Sequence, residues 1–212
     1  MAESEMEEPR LDAEELMHLA MKAMRQNRDE DALLFLKHAI AQTPQDGRLH
    51  YLLGALHAEL GMAERAISEI ERATELNPEL SVAHFQLGLL HVASGELERA
   101  EQSWAPLDRL PEDNVIKLFK DGMSRFLQDD YAEAITLLSK GIALNEASEA
   151  LNEEMERVLA QAVEAQQEAQ QEREPATPKA PAKPKPAPRE PQHVLLSGYR
   201  KQESKDQPKK NG

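Results

Sequence analysis

The chain has 212 residues, a formal net charge of −14, no cysteine and only 4% aromatic residues. Without cysteine, disulfides and thiolate metal sites are excluded, and so few aromatics argue against a large globular core. Residues up to Arg173 carry 16 basic and 35 acidic side chains and those beyond it 9 and 4, so the field of the body repels phosphate and leaves the tail as the only basic surface for nucleic acid.

Residues 1–11 are polar, acidic and without helical period, and are expected to be a disordered lead. They lack the apolar centre of a secretory signal, and no run of about 18 apolar residues is present to span a membrane. A soluble, cytoplasmic protein with no membrane partner is the expectation. Asp12-Ala-Glu-Glu15 then has the spacing of a capping box, in which the Asp accepts from a first-turn N–H and the Glu reaches back. The first helix is predicted to start there.

From Ala13 the chain repeats itself. Gly47–Pro78 holds an apolar helical stripe, a break at Gly61, a second stripe and then Asn77-Pro78. Shifted by 34 residues, Leu53-Gly54 falls on Leu87-Gly88, Gly61 on Gly95, Ala66 on Ala100 and Leu76 on Leu110. The same columns hold Leu19-Ala20, Asn27, Ala32, Ala39 and Pro44 on one side, and Gly122, Asp129, Ala134, Gly141 and Leu144 on the other. Four helix-turn-helix repeats are thus predicted over residues 13–46, 47–80, 81–114 and 115–146. Self-similarity at this period marks an array in which each unit buries its apolar face on its neighbours.

These residues resemble the tetratricopeptide repeat family: Leu53, Gly54, Ala66, Ala73 and Pro78 occupy its columns, while His50, His57 and Ile70 stand where it favours aromatics. The resemblance covers Ala13–Glu146. It implies an all-α, right-handed α-solenoid that binds peptides and partner proteins and carries out no chemistry of its own. In each repeat the small column (Ala20, Gly54, Gly88, Gly122) and the Ala column (Ala32, Ala66, Ala100, Ala134) let two antiparallel helices approach closely. Positions such as Glu69 are read as surface.

The third repeat departs from the pattern. Trp104 takes the second aromatic column as a core residue, but Pro106 follows where helix should continue, so the helix is expected to end or kink near Ala105. Residues 147–173 read as a cap helix, with Leu151, Met155, Val158, Leu159 and Ala162 at helical spacing and an almost entirely Gln, Glu and Ala stretch after them. Residues 174–212 read as a disordered basic tail. Its seven prolines from Pro175 to Pro191 favour an extended spacer of up to roughly 50 Å. The spacer ends at a short motif over residues 193–200, where Val194, Leu195, Leu196 and Tyr199 form an apolar island. It is expected to dock, either on this chain's own groove or on another protein.

No catalytic constellation and no cofactor motif is present, so neither an enzyme nor a cofactor is expected. His50 with His84, and His57 with His91, recur in register. They are read as packing residues and not as a metal site, with no carboxylate at an obvious ligand spacing. The face that lines the groove in proteins this chain resembles offers Met17, Met21, Met24, Tyr51, Val82, Phe85, Leu89, Val92, Ile116, Phe119, Met123 and Phe126. The Lys, Asn and Arg clamp with which some relatives of this kind grip an acidic C-terminus is absent, since those places hold Met17, Met21, Leu52, Val82 and Gln86. The expectation is a non-enzymatic adaptor or chaperone-like binder of an apolar peptide or amphipathic helix. Its rivals are a dedicated secretion-type chaperone, and a metal- or nucleic-acid-dependent regulator using the histidines or the tail.

Overall fold

The computed structural model describes residues 11–146 and 148–173. Among them every regular element is helical: α1 (Ala13–Arg25), α2 (Asp29–Gln42), α3 (Gly47–Glu59), α4 (Ala63–Leu76), α5 (Ser81–Ala93), α6 (Leu97–Trp104), a 3₁₀ turn (Ala105–Arg109), α7 (Val115–Leu127), α8 (Tyr131–Leu144) and α9 (Glu149–Arg173). The chain divides into two compact units, residues 1–83 and 84–212, the boundary falling within α5.

The helix ends follow the 34-residue period. Three of the four first helices are capped by side chains: Asp12 accepts from Glu15 N at 2.8 Å while Glu15 accepts from Asp12 N at 2.9 Å, Asp46 accepts from Arg48 N at 2.9 Å, and Asn114 accepts from Ile116 N at 2.9 Å. Each satisfies a donor that the helix itself leaves unpaired. Between the helices of every hairpin one residue takes a left-handed conformation: Asn27 (φ 53), Gly61 (φ 73), Gly95 (φ 75) and Asp129 (φ 60). The following residue donates its backbone N–H to a carbonyl five places back, Arg28 to Ala23, Met62 to His57, Glu96 to His91 and Asp130 to Arg125, at 2.8–3.0 Å. This is the Schellman closure, which spends a left-handed residue to satisfy the orphan carbonyls of a helix C-terminus.

Close approach within the hairpins explains the small columns. A Cβ on Gly122 would stand 2.8 Å from Leu138 Cγ, and one on Gly54 would fall against Ile70. Ala32, Ala66 and Ala134 are fully buried. Ala66→Leu is therefore expected to overpack the α3–α4 contact by about 1–3 kcal/mol, lowering the melting temperature by several degrees. Glu64→Leu, at an exposed site on the same helix, should leave it nearly unchanged, and equal thermal midpoints by circular dichroism would contradict the register. Glu69 is unsuitable as a surface control: it is half-buried, and its Oε2 lies 2.8 Å from His50 Nδ1.

In the first unit the core gathers Leu16, Met17, Ala20, Ala32, Leu36, Leu49, Leu53 and Leu56 from α1, α2 and α3. In the second, Phe85 and Leu89 of α5, Trp104, Leu107, Phe119 and Met123 of α7, Leu138 of α8 and Met155 and Val158 of α9 form one cluster. Phe85 is its hub, with ring centroids 6.3 Å from Trp104 and 6.4 Å from Phe119. Trp104 is 1% exposed, and its Nε1–H donates to Phe85 O at 3.0 Å. Burial along α9 stops at Ala162.

Helix α6 stops at Trp104, and Pro106 lies in the 3₁₀ turn that follows. Proline has no N–H to give to an α-helix and its ring clashes one turn back. Two lysines of α7 hold this turn. Lys117 Nζ donates to Asp108 O at 3.3 Å and to Glu112 Oε1 at 2.6 Å. Lys120 Nζ donates to the Asp108 carboxylate and to Asp121 Oδ1.

Candidate functional site

Apolar residues run around most of α5 and α7, and the packing sorts them. Phe85, Leu89 and Phe119 have no exposed surface, Met123 retains 4% and Val92 7%. These five, expected on a binding face, are brought together as core. Ile116 and Phe126 lie at its margin and are half-buried, with the Phe126 ring 5.9 Å from that of Tyr131. Beside them Leu127 is 37% exposed. Helix α7 thus points Phe119 and Met123 inward and keeps apolar surface at Ile116, Phe126 and Leu127.

In the first unit Met17 is core at 6% exposure, and Met21, Met24, Tyr51 and Val82 are half-buried. The start of this face is polar. Arg48 of α3 donates to Glu14 of α1 at 2.9 Å and to Asp46 at 2.7 Å, and the Arg48 hydrogen bond holds the Asp46 carboxyl below its ordinary pKa. Ile116, at the matching position of α7, makes the start of that helix apolar instead. The tail residues Val194, Leu195, Leu196 and Tyr199 lie outside the described residues.

Two of these histidines, His50 and His91, have carboxylate partners that the fold brings to them, without any ligand spacing in the sequence. His50 Nδ1 meets Glu69 Oε2 at 2.8 Å and its Nε2 meets Pro44 O at 3.2 Å. His91 Nδ1 meets Glu96 Oε2 at 2.8 Å. The first pairing spans 19 residues, as does Trp104 to Phe85, so the separation that brings one helix of a hairpin onto the other was the available signal. Among the described residues no three His, Cys, Asp or Glu side chains group so as to hold a metal ion.

Two carboxyls are held in unusual states. Burial raises Glu154 on α9 to about 7, with Arg157 opposing, and one of its oxygens is buried without a partner among the described residues. Burial first, then the Asp29 charge, raises Glu59 to about 7. A carboxyl raised in the fold binds a proton that the unfolded chain has released, so its contribution is present below the ordinary carboxyl pKa and is lost as pH rises through about 7. Glu154→Gln is expected to raise the melting temperature at about pH 8, change it little at about pH 5, and flatten the slope between them. Parallel curves for variant and parent would contradict that assignment.

A family model described as "Tetratricopeptide repeat" matches residues 47–80. Among solved structures, the Cut9–Hcn1 hetero-tetramer of the APC/C superposes with a TM-score of 0.64 at 18% identity, over 74% of this chain. The chain spans 30% of the length of that partner in the superposition. A tetratricopeptide repeat protein from Parabacteroides merdae gives 0.53 at 21% identity, over 77% of this chain and 66% of its own. Pseudomonas aeruginosa PilF gives 0.53 at 18%, over 76% and 72%. No curated protein matches the sequence. At these identities the superpositions establish the fold, an all-α array of tetratricopeptide-type hairpins.

Proposed function

We propose that this chain, a tetratricopeptide repeat protein, is a non-catalytic scaffold that holds an apolar peptide or an amphipathic helix of a partner protein against the first helices of its hairpins. The fold supports a protein–protein interaction scaffold in general terms. The observation that carries the finer reading is the surface of α7, where Ile116, Phe126 and Leu127 stay partly open beside a core already filled by Phe119 and Met123. A ligand helix meets such a strip with residues three and four apart. The half-buried Met21 and Met24 on α1 supply adaptable surface in the first unit.

Exposure alone does not single out this strip, since Leu34, Leu97 and Leu144 on second helices are 51%, 48% and 47% exposed. Those side chains are scattered singly, which is normal for a protein surface. The distinguishing experiment is a titration of the methyl-labelled full chain with an uncharged amphipathic Leu/Gln/Ala helix. Shifts at the methyls of Ile116 and Leu127 support the reading, and shifts as large at Leu34 and Leu144 contradict it. No helix among the described residues is long and apolar enough to cross a membrane, and the cytoplasm is the proposed place of action.

A further inference from the structure

The third repeat closes its turn with a small hydrogen-bonded triad. Glu96 donates its backbone N–H to His91 O at 2.8 Å, which sets the two side chains next to one another. The Glu96 carboxylate then lies between His91 Nδ1 at 2.8 Å and Arg99 Nη1 at 2.9 Å, and both contacts hold its pKa below the ordinary value. The fourth repeat keeps a version of this, with Arg125 Nη1 3.5 Å from Asp130 Oδ2.

The second repeat has the same backbone closure, Met62 N to His57 O at 2.8 Å, and retains the histidine and the arginine as His57 and Arg65. In the place of the carboxylate it has Met62. Arg65 Nη1 lies 3.7 Å from Met62 Sδ, a weak substitute for a charged acceptor. His57 is 8% exposed, and its Nδ1, matching the atom that meets Glu96 in the next repeat, is buried with no hydrogen-bond partner among the described residues. A cleft of about 340 Å³ opens at this point, lined by His57, Met62 and Arg65 together with Lys37, Leu33 and Leu60. Its one carboxylate, Glu69, already meets His50.

We propose that this cleft takes a carboxylate from a partner protein, an Asp or Glu side chain flanked by aliphatic residues, held between His57 and Arg65 as Glu96 is held between His91 and Arg99. The choice of occupant rests on complementarity. Lys37, Arg65 and His57 gather cationic or protonatable groups in a chain whose net charge is −14, and Leu33, Leu60 and the mobile thioether of Met62 offer apolar walls to the flanking side chains. The site is formed by a hairpin turn and by residues of α2, α3 and α4, separate from the α7 strip. It is therefore independent of the reading of that strip.

Protonation follows from the surroundings. Burial, helped by Arg65 and Lys37 and opposed by Glu69, keeps His57 below its ordinary pKa, so the free cleft holds a neutral ring near neutrality. A bound carboxylate favours the imidazolium. The ligand then enters with a proton, and affinity rises as pH falls through the His57 pKa of the complex toward the lower pKa of the free protein.

The test is histidine ring NMR on the full chain, the His57 signal being assigned through His57→Gln. The probes are acetyl-Leu-Glu-Leu-amide, its Leu-Gln-Leu counterpart and glutarate. The Glu peptide is expected to raise the His57 pKa by about one unit or more and to bind at least about tenfold more tightly than the Gln peptide, a difference of roughly 1.4 kcal/mol. Met62→Glu should raise the His57 pKa without any peptide and weaken Glu-peptide binding by about tenfold, whereas Met62→Leu should leave the pKa as in the parent. Met62 is 41% exposed, so both variants are expected to fold. Equal binding of the Gln peptide, an unmoved His57 at saturation, or no effect of Met62→Glu overturns the proposal. Glutarate binding as tightly as the peptide would make the ligand a small acid, and a fall of the His57 pKa when Glu3, Glu5, Glu7 and Glu8 are changed together to Gln would make it the chain's own acidic segment. Either result overturns the assignment to a partner protein.

Discussion

Gly88→Ala is expected to destabilise the chain by about 3 kcal/mol or more, at the upper end of the range for an overpacked core. A Cβ at this position would fall on the Nε1, Cε2 and Cδ1 atoms of Trp104, all closer than 3.0 Å, a separation that real Cβ atoms essentially never show. The indole has nowhere to retreat: it is 1% exposed, stacks on Phe85 and donates to Phe85 O. Moving it breaks a buried hydrogen bond as well as the packing. At roughly 2–4 °C per kcal/mol for a chain of this size, the thermal midpoint followed by circular dichroism should fall by about 6–12 °C. Combining Gly88→Ala with Trp104→Leu should give a loss smaller than the sum of the two single losses, since the second change makes room for the first. A midpoint within about 2 °C of the parent would mean that α5 and α6 are not in this contact.

The second large effect separates core from surface on neighbouring apolar positions. Phe85→Glu and Met123→Glu are expected to abolish the cooperative helical transition. Removing a buried Phe ring alone costs about 3–5 kcal/mol, and an unpaired carboxylate in its place adds a desolvation penalty of several kcal/mol. Together these rival the whole stability of an ordinary domain. Ile116→Glu and Phe126→Glu, at half-buried positions, should keep the helical signal with a midpoint lowered by a few degrees, and should weaken capture of the amphipathic helix by at least about tenfold each. If Phe85→Glu folds normally and still loses the ligand, the binding surface is deeper than the packing allows. If Ile116→Glu and Phe126→Glu bind as the parent does, α7 is not the docking strip.

Why the hairpins were legible and the binding face was not comes down to two kinds of information. The period repeats small residues, left-handed turn positions and caps, and each has a local cause: Gly61 and Gly95 adopt positive φ, Gly122 faces Leu138, and Asp12 and Asp46 receive first-turn N–H groups. Such causes act within one hairpin and recur every 34 residues, so the sequence displays them. Side-chain exposure on an apolar helix has no comparable signature. Phe119, with no exposed surface, and half-buried Phe126 are the same residue type on one helix, and what separates them is the arrival of Trp104, Leu138 and Met155 from three other elements. The polar side-chain contacts divide in the same way. His91, Glu96 and Arg99 lie close in sequence, yet only the Schellman closure turns the first two toward each other, and only comparison with His57, Met62 and Arg65 shows that one member has been exchanged.

The apolar segment of a partner is proposed to lie on the α7 strip and not on the outer face of α8. Site-specific photo-crosslinking of the full chain in cells tests it, with p-benzoylphenylalanine placed at Ile116 or Phe126 on α7 and at the exposed Thr136 or Lys140 on α8. The same crosslinked species is expected from both α7 positions and none from the α8 positions. Adducts of equal yield from Thr136 and Lys140, or adducts from those positions alone, would contradict it.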